Sequence, residues 1–155
     1  MDYWFISEQE FRQDIEKGRF IEYAVVHGNL YGTPFQPVID AMEAGRNVLL
    51  DIDVQGAEQI KDKLPSAIMV YILPPSRNVL EERLRRRGTE DEDSLRRRLR
   101  TADLEVEKTH IYDFLVVNGE LSKAVADLKA IVRAESLRMP EGGVQESWHS
   151  SKRKS

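Results

Sequence analysis

Three stretches of the chain carry apolar residues in succession: NVLLDID at 47–53, AIMVYIL at 67–73 and DFLVVN at 113–118, the first ending in two acids. A strand wetted on one face alternates apolar with polar positions. Continuous apolar runs of this length predict strands covered on both faces. Segments with helical spacing separate them: Val54 to Lys63, Arg77 to Arg87 with Ser94 to Lys108, and Leu121 to Leu137. Buried strands alternating with helices predict an α/β fold with a parallel sheet. Upstream, Ser7 and Glu10 have the spacing of a capping box, with Phe11 and Ile15 on one face of a short helix that ends near Gly18. Phe20 to Val26 reads as a strand and His27-Gly28-Asn29 as a turn. Leu30-Tyr31 returns, so the unit is a hairpin with Tyr31 and Thr33 just past its tip. Val38, Ile39, Ala41 and Met42 predict a helix from Pro37 to Ala44 that stops at Gly45.

From Met139 to Ser155 the pattern is lost, and residues 139–155, rich in Gly, Ser, Lys and Arg, are expected to be disordered. A chain of 155 residues suits one domain, and that size buries roughly 70% of the surface the unfolded chain exposes. The absence of cysteine excludes disulfides and thiolate metal sites and fits the cytoplasm. The start MDYWFISEQEF has no basic region followed by an apolar one, and no apolar run approaches a membrane span; neither signal peptide nor anchor is expected. A net charge of −4 argues against a generic nucleic-acid binder.

Several residues could carry chemistry. Ligands of an open parallel sheet collect beyond the carboxyl ends of its strands, where Asp51 and Asp53 lie. At i, i+2 on a strand the two acids share a face, suited to a donor-rich ligand edge or to the water shell of Mg²⁺. Equally, one of them simply caps the helix starting at Val54. Glu22 within an apolar strand must face solvent or find a donor. Tyr31 and Thr33 around Gly32 are weaker signals, since tyrosine beside a hairpin glycine is commonly packing. In RLRRRGTEDEDSLRRRLR, residues 83–100, Arg83 and Arg87 fall on one helical face, with Arg98 beyond a joint containing Gly88. Such arginines suit phosphate, and the joint suits a lid. The acids beside them equally make a solvated, salt-bridged surface, and without wider context that reading prevails.

Wider context comes from DYWFIS, FIEYAVVHGNLYGTP, VLLDIDVQGA, ILPPS, ERLRRRGTEDEDSLRRRL and VVN. In order and spacing these motifs resemble guanylate kinase, over residues 2 to about 137. The resemblance implies a P-loop nucleoside monophosphate kinase-like fold: a three-layer parallel sheet, a small β-rich GMP-binding part over about 1–35, and a helical lid with its adjoining helix over about 76–108. The domain would cover residues 1–138. It implies transfer of phosphate from ATP to GMP with Mg²⁺. Tyr3 and Tyr31 match tyrosines bonded to the GMP phosphate, Glu22 the carboxylate that accepts from guanine N1 and N2, and Thr33 the hydroxyl at guanine O6. Asp53 matches the acid beneath the base, and Asp51 its neighbour near metal and phosphates. Arg83, Arg87 and Arg98 match the arginines that close on the ATP phosphates and stabilise the transferred group, and Asn118 the asparagine near adenine. VVNG stands where VVND is commoner.

The family's first strand, its P-loop GPSGxGKST and the STTRxPR segment do not occur, and no glycine begins a GxxxxGKS/T pattern. The expected fold therefore lacks its first strand and P-loop, and the 155 residues alone are expected to show little activity. In the family that strand lies between those matching 47–53 and 67–73, so two apolar edges would lack partners. Met1 falls on a variable residue of the family's GxDYxF, so the expectation is a longer reading frame read from an internal methionine. A second reading is a non-catalytic guanylate-kinase-like module that binds phosphopeptides.

Overall fold

The computed structural model describes residues 4–26, 28–86 and 91–139. The expectation for the tail lies outside them from residue 140 onward, as do Tyr3, Arg87 and the His27 position of the turn. Among the described residues no helix is long and apolar enough to cross a membrane. The chain divides into two compact units, one of Met1–Tyr71 with Glu90–Phe114, the other of Ile72–Thr89 with Leu115–Ser155.

In the first unit, helix α1 (Glu8–Glu16) starts as the sequence predicts. The Ser7 hydroxyl accepts from the Glu10 N–H while the Glu10 carboxylate takes the Ser7 N–H, closing the capping box. Gly18 follows at φ +64°, where a side chain would be strained. Strands β1 (Phe20–Val26) and β2 (Asn29–Pro34) form an antiparallel hairpin. β2 runs on to Pro34, so Tyr31 and Thr33, just past the tip as expected, both sit within the returning strand. Glu22 pairs with Thr33 and Ala24 with Tyr31, whereas the register shifts between Phe20 and Glu22. Phe20, Ile21 and Glu22 are all buried in succession, so this end of the strand is covered on both faces.

Helices α2 (Phe35–Glu43), α3 (Val54–Lys63) and α5 (Glu92–Glu107) complete this unit, with a 3₁₀ turn at Thr109–Ile111. Its core joins Ile21, Val38, Ala57, Ile60 and Met69, with Leu50, Ile52 and Tyr112 packed against them. Each large aliphatic chain so buried contributes about 1.5–3 kcal/mol.

Strands β3 (Val70–Leu73) and β4 (Phe114–Val117) pair with each other. The Asp113 and Phe114 N–H groups donate to Met69 O, and the Asn118 N–H donates to Leu73 O. Both chains advance in the same direction, so the pair is parallel, as predicted. The strand predicted over 47–53 does not form: the segment has no regular structure, and Leu49 is 84% exposed. A strand exists only through its neighbours' N–H and C=O groups. The Ala57 N–H donates to Asp53 O where the next helix starts, and among the described residues no strand pairs with this segment. The α/β class stands with one parallel pair.

The second unit holds α4 (Arg77–Arg86), α6 (Leu121–Glu135) and the ends of β3 and β4 that run from Ile72 and Leu115. Leu84, Val116 and Ala124 are its buried apolar residues among those described.

Candidate functional site

Cross-strand partners share a face of an antiparallel ribbon. β1 and β2 therefore present Glu22, Ala24, Tyr31 and Thr33 together. Glu22 is only 6% exposed, and the Thr33 hydroxyl donates to its Oε1 at 2.5 Å. Among the described residues no cation pairs with it. A buried carboxylate answered by one neutral hydroxyl retains strong acceptor capacity. The pair can receive an edge that offers N–H donors to the carboxylate beside a carbonyl for the hydroxyl, once that hydroxyl turns from Glu22. Tyr31 stands on the same face at 44% exposure.

The floor beneath Glu22 is the first turn of α3. A Cβ on Gly56 would lie 2.7 Å from Glu22 Oε2 and 3.2 Å from the Ile52 Cβ, so only glycine leaves the carboxylate its place. The Gly56 N–H donates to Asp53 Oδ1 at 2.9 Å, which makes Asp53 the N-cap of α3. The capping reading of the Asp51/Asp53 pair thus holds for Asp53, and its Oδ2 also accepts from the Gln55 amide at 3.3 Å. Asp51 is exposed on the irregular segment, so the shared strand face inferred for the two acids is absent. The reason is the missing strand geometry: alternation places i and i+2 together only on extended, paired backbone.

Farther along α3, Gln59 exchanges two hydrogen bonds with the backbone of Tyr23: the Tyr23 N–H donates to Oε1 at 3.2 Å and Nε2 donates to Tyr23 O at 2.7 Å. Lys63 Nζ donates to Phe20 O at 2.9 Å and to Ile21 O at 2.8 Å. Sequence reasoning missed Gly56, Gln59 and Lys63. The available signal was Gly56 itself, a glycine inside a helical pattern, which costs about 1 kcal/mol against alanine and asks for a packing reason.

Asp53 also faces Glu105 of α5. Burial pushes the Glu105 carboxyl above the ordinary glutamate value, and the Asp53 carboxylate pushes it further. Tyr71 and Tyr112 meet edge to face at 5.0 Å. Burial first, then Tyr71 and the carboxylates of Glu105, Asp53 and Glu58, push the Tyr112 hydroxyl up to about 12. Lys108 answers Glu58 at 2.9 Å.

Of the arginines, Arg98 lies on α5 in the first unit. Arg83 lies on α4 in the second, where Nη1 donates to Asn118 O at 2.8 Å and Nη2 to Gly119 O at 3.2 Å. Arg83 and Asn118 thus come together, lining an open cleft of about 150 Å³ with Ile72, Pro74, Leu80 and Leu84. Arg85 instead pairs with Glu81 one turn away, the solvated arrangement.

Comparison with known proteins supports one assignment. The guanylate kinase family model matches residues 1–135. Guanylate kinase of Carboxydothermus hydrogenoformans is 43% identical over 152 residues, covering 93% of this chain and 74% of that protein. Guanylate kinase of Dechloromonas aromatica is 43% identical over 150 residues, covering 97% and 73%. The crystal structure of guanylate kinase from Anaplasma phagocytophilum superposes with a TM-score of 0.70 at 33% identity, covering 88% of this chain and 66% of that one. The fold is therefore the α/β fold of that structure, over about two thirds of its length, and the chain belongs to the guanylate kinase family.

Proposed function

We propose that this protein serves the guanylate kinase reaction, in which GMP attacks the γ-phosphorus of ATP and ADP leaves, giving GDP. The observation that carries the reading is the buried Glu22 carboxylate, bonded to the Thr33 hydroxyl and paired with no cation among the described residues. Guanine presents N1 and N2 hydrogens beside O6, so Glu22 accepts twice while Thr33 turns its proton to the carbonyl. Adenine places a lone pair at N1 and a donor at the 6-position, which leaves the buried carboxylate facing an acceptor. Asp53 lies beneath the base while capping α3, and Tyr31 with Tyr3 takes the GMP phosphate.

On the ATP side, Asn118 meets adenine, and Arg83, Arg87 and Arg98 neutralise charge on the phosphates as the phosphoryl group passes between oxygens. Mg²⁺ bound to ATP supplies charge neutralisation on the phosphates. Asp51, exposed on its segment, can meet that ion only through its water shell. The GxxxxGKS/T donors for the β- and γ-phosphates are not among these 155 residues. Guanine recognition and the lid arginines are what the residues themselves supply.

Titration calorimetry with GMP and AMP tests this. GMP is expected to bind and AMP to give no heat, with Glu22→Gln weakening GMP by about 10²-fold or more because one buried acceptor becomes a misplaced donor. Equal binding of the two nucleotides, or binding of a phosphoserine peptide in place of GMP, overturns the proposal.

A further inference from the structure

β1 has two edges. One pairs with β2; the other is hydrogen-bonded by the Gln59 and Lys63 side chains of α3, which share a helical face with Gly56. Lys63 holds the carbonyls of Phe20 and Ile21, and Gln59 holds both backbone groups of Tyr23 as a paired strand would. Between these anchors lies Glu22, with Gly56 making room for Oε2. The backbone is bulged at this place, so the ladder to β2 alone does not determine where the carboxylate sits.

We infer that Gln59, through its two bonds to Tyr23, is a positioning residue for base recognition: it fixes the height of the Glu22 carboxylate over Gly56 so that both Oε atoms meet the base edge. This rests on the guanine reading given above. Gln59 touches no substrate; it acts through the residue next to Glu22. Loosening the strand there lets Glu22 retain one bond to a base but lose the second. The consequence concerns selectivity among purines that differ only at the 2-position.

The experiment measures dissociation constants for GMP and IMP, which lacks the 2-amino group, on the full chain and two variants, with urea unfolding run in parallel. Gln59→Met removes both bonds at similar length. Gln59→Glu keeps the acceptor for the Tyr23 N–H, loses the donor, and answers the same question if the first variant does not fold. The expected result is a GMP affinity weaker by about tenfold with IMP affinity changed far less, so that the GMP preference over IMP collapses. Gln59→Glu is expected to fall between. An unchanged preference, whether or not both affinities drop, overturns the inference, because a merely structural glutamine weakens both nucleotides alike. Unfolding of both variants assigns Gln59 to the fold and overturns it as well. Failure of the unaltered chain to bind GMP is a separate result that removes the guanine reading itself.

Discussion

Glu105 shows what burial does to one carboxyl. It lies near Tyr71 and Tyr112 and faces Asp53, and burial first, then the Asp53 charge, favour its protonated form. A group whose folded pKa is raised contributes stability fully present below its unfolded value, 4.5 here, and lost as pH rises through the folded value. Glu105→Gln is permanently neutral. The variant is expected to melt higher than the parent at pH 7 and to match it at pH 4, measured by thermal unfolding in matched salt. A variant less stable at pH 7 would show that the charged form is the one the fold favours. Glu22 is a contrasting case at the same scale. Its type and its position within an apolar strand left two outcomes, solvent or a donor, and the hydroxyl that decides between them lies 11 residues away and is supplied by the hairpin.

Between elements, α1 and the hairpin meet where Phe11 stacks on Phe20 at 4.4 Å. Gly32 is the close-approach point: a Cβ there would lie 2.9 Å from Phe20 Cδ1, 3.0 Å from Phe11 Cζ and 3.2 Å from Glu22 O. Rings and backbone would all have to move. Gly32→Ala is expected to cost roughly 1–3 kcal/mol in urea unfolding, and unchanged stability would mean the stack is loose. Helix positions were well legible because caps and periodicity are local; Val54–Lys63 starts and stops where the pattern does. The 47–53 strand was not legible, since an apolar run records what wants burial and says nothing about which backbone will pair with it.

At the scale of the whole molecule, Phe5 and Leu49 are large apolar side chains left 95% and 84% exposed. Concentration-dependent self-association is expected in sedimentation velocity, and Leu49→Lys with Phe5→Ser should shift the distribution toward monomer. A monomer at all concentrations would contradict this.

Residue types and spacing alone determined the caps, the hairpin, the α/β alternation and the likeness to guanylate kinases, because each depends on neighbours a few residues apart or on motif order. Tertiary structure decided the rest. It fastened Arg83 to the Asn118 and Gly119 carbonyls and left 47–53 without a ladder. It also set Gln59 against a strand 36 residues away. The physical reason is common to all of these: a hydrogen bond is decided by where its partner is, and for these groups the partner or its absence is set by folding.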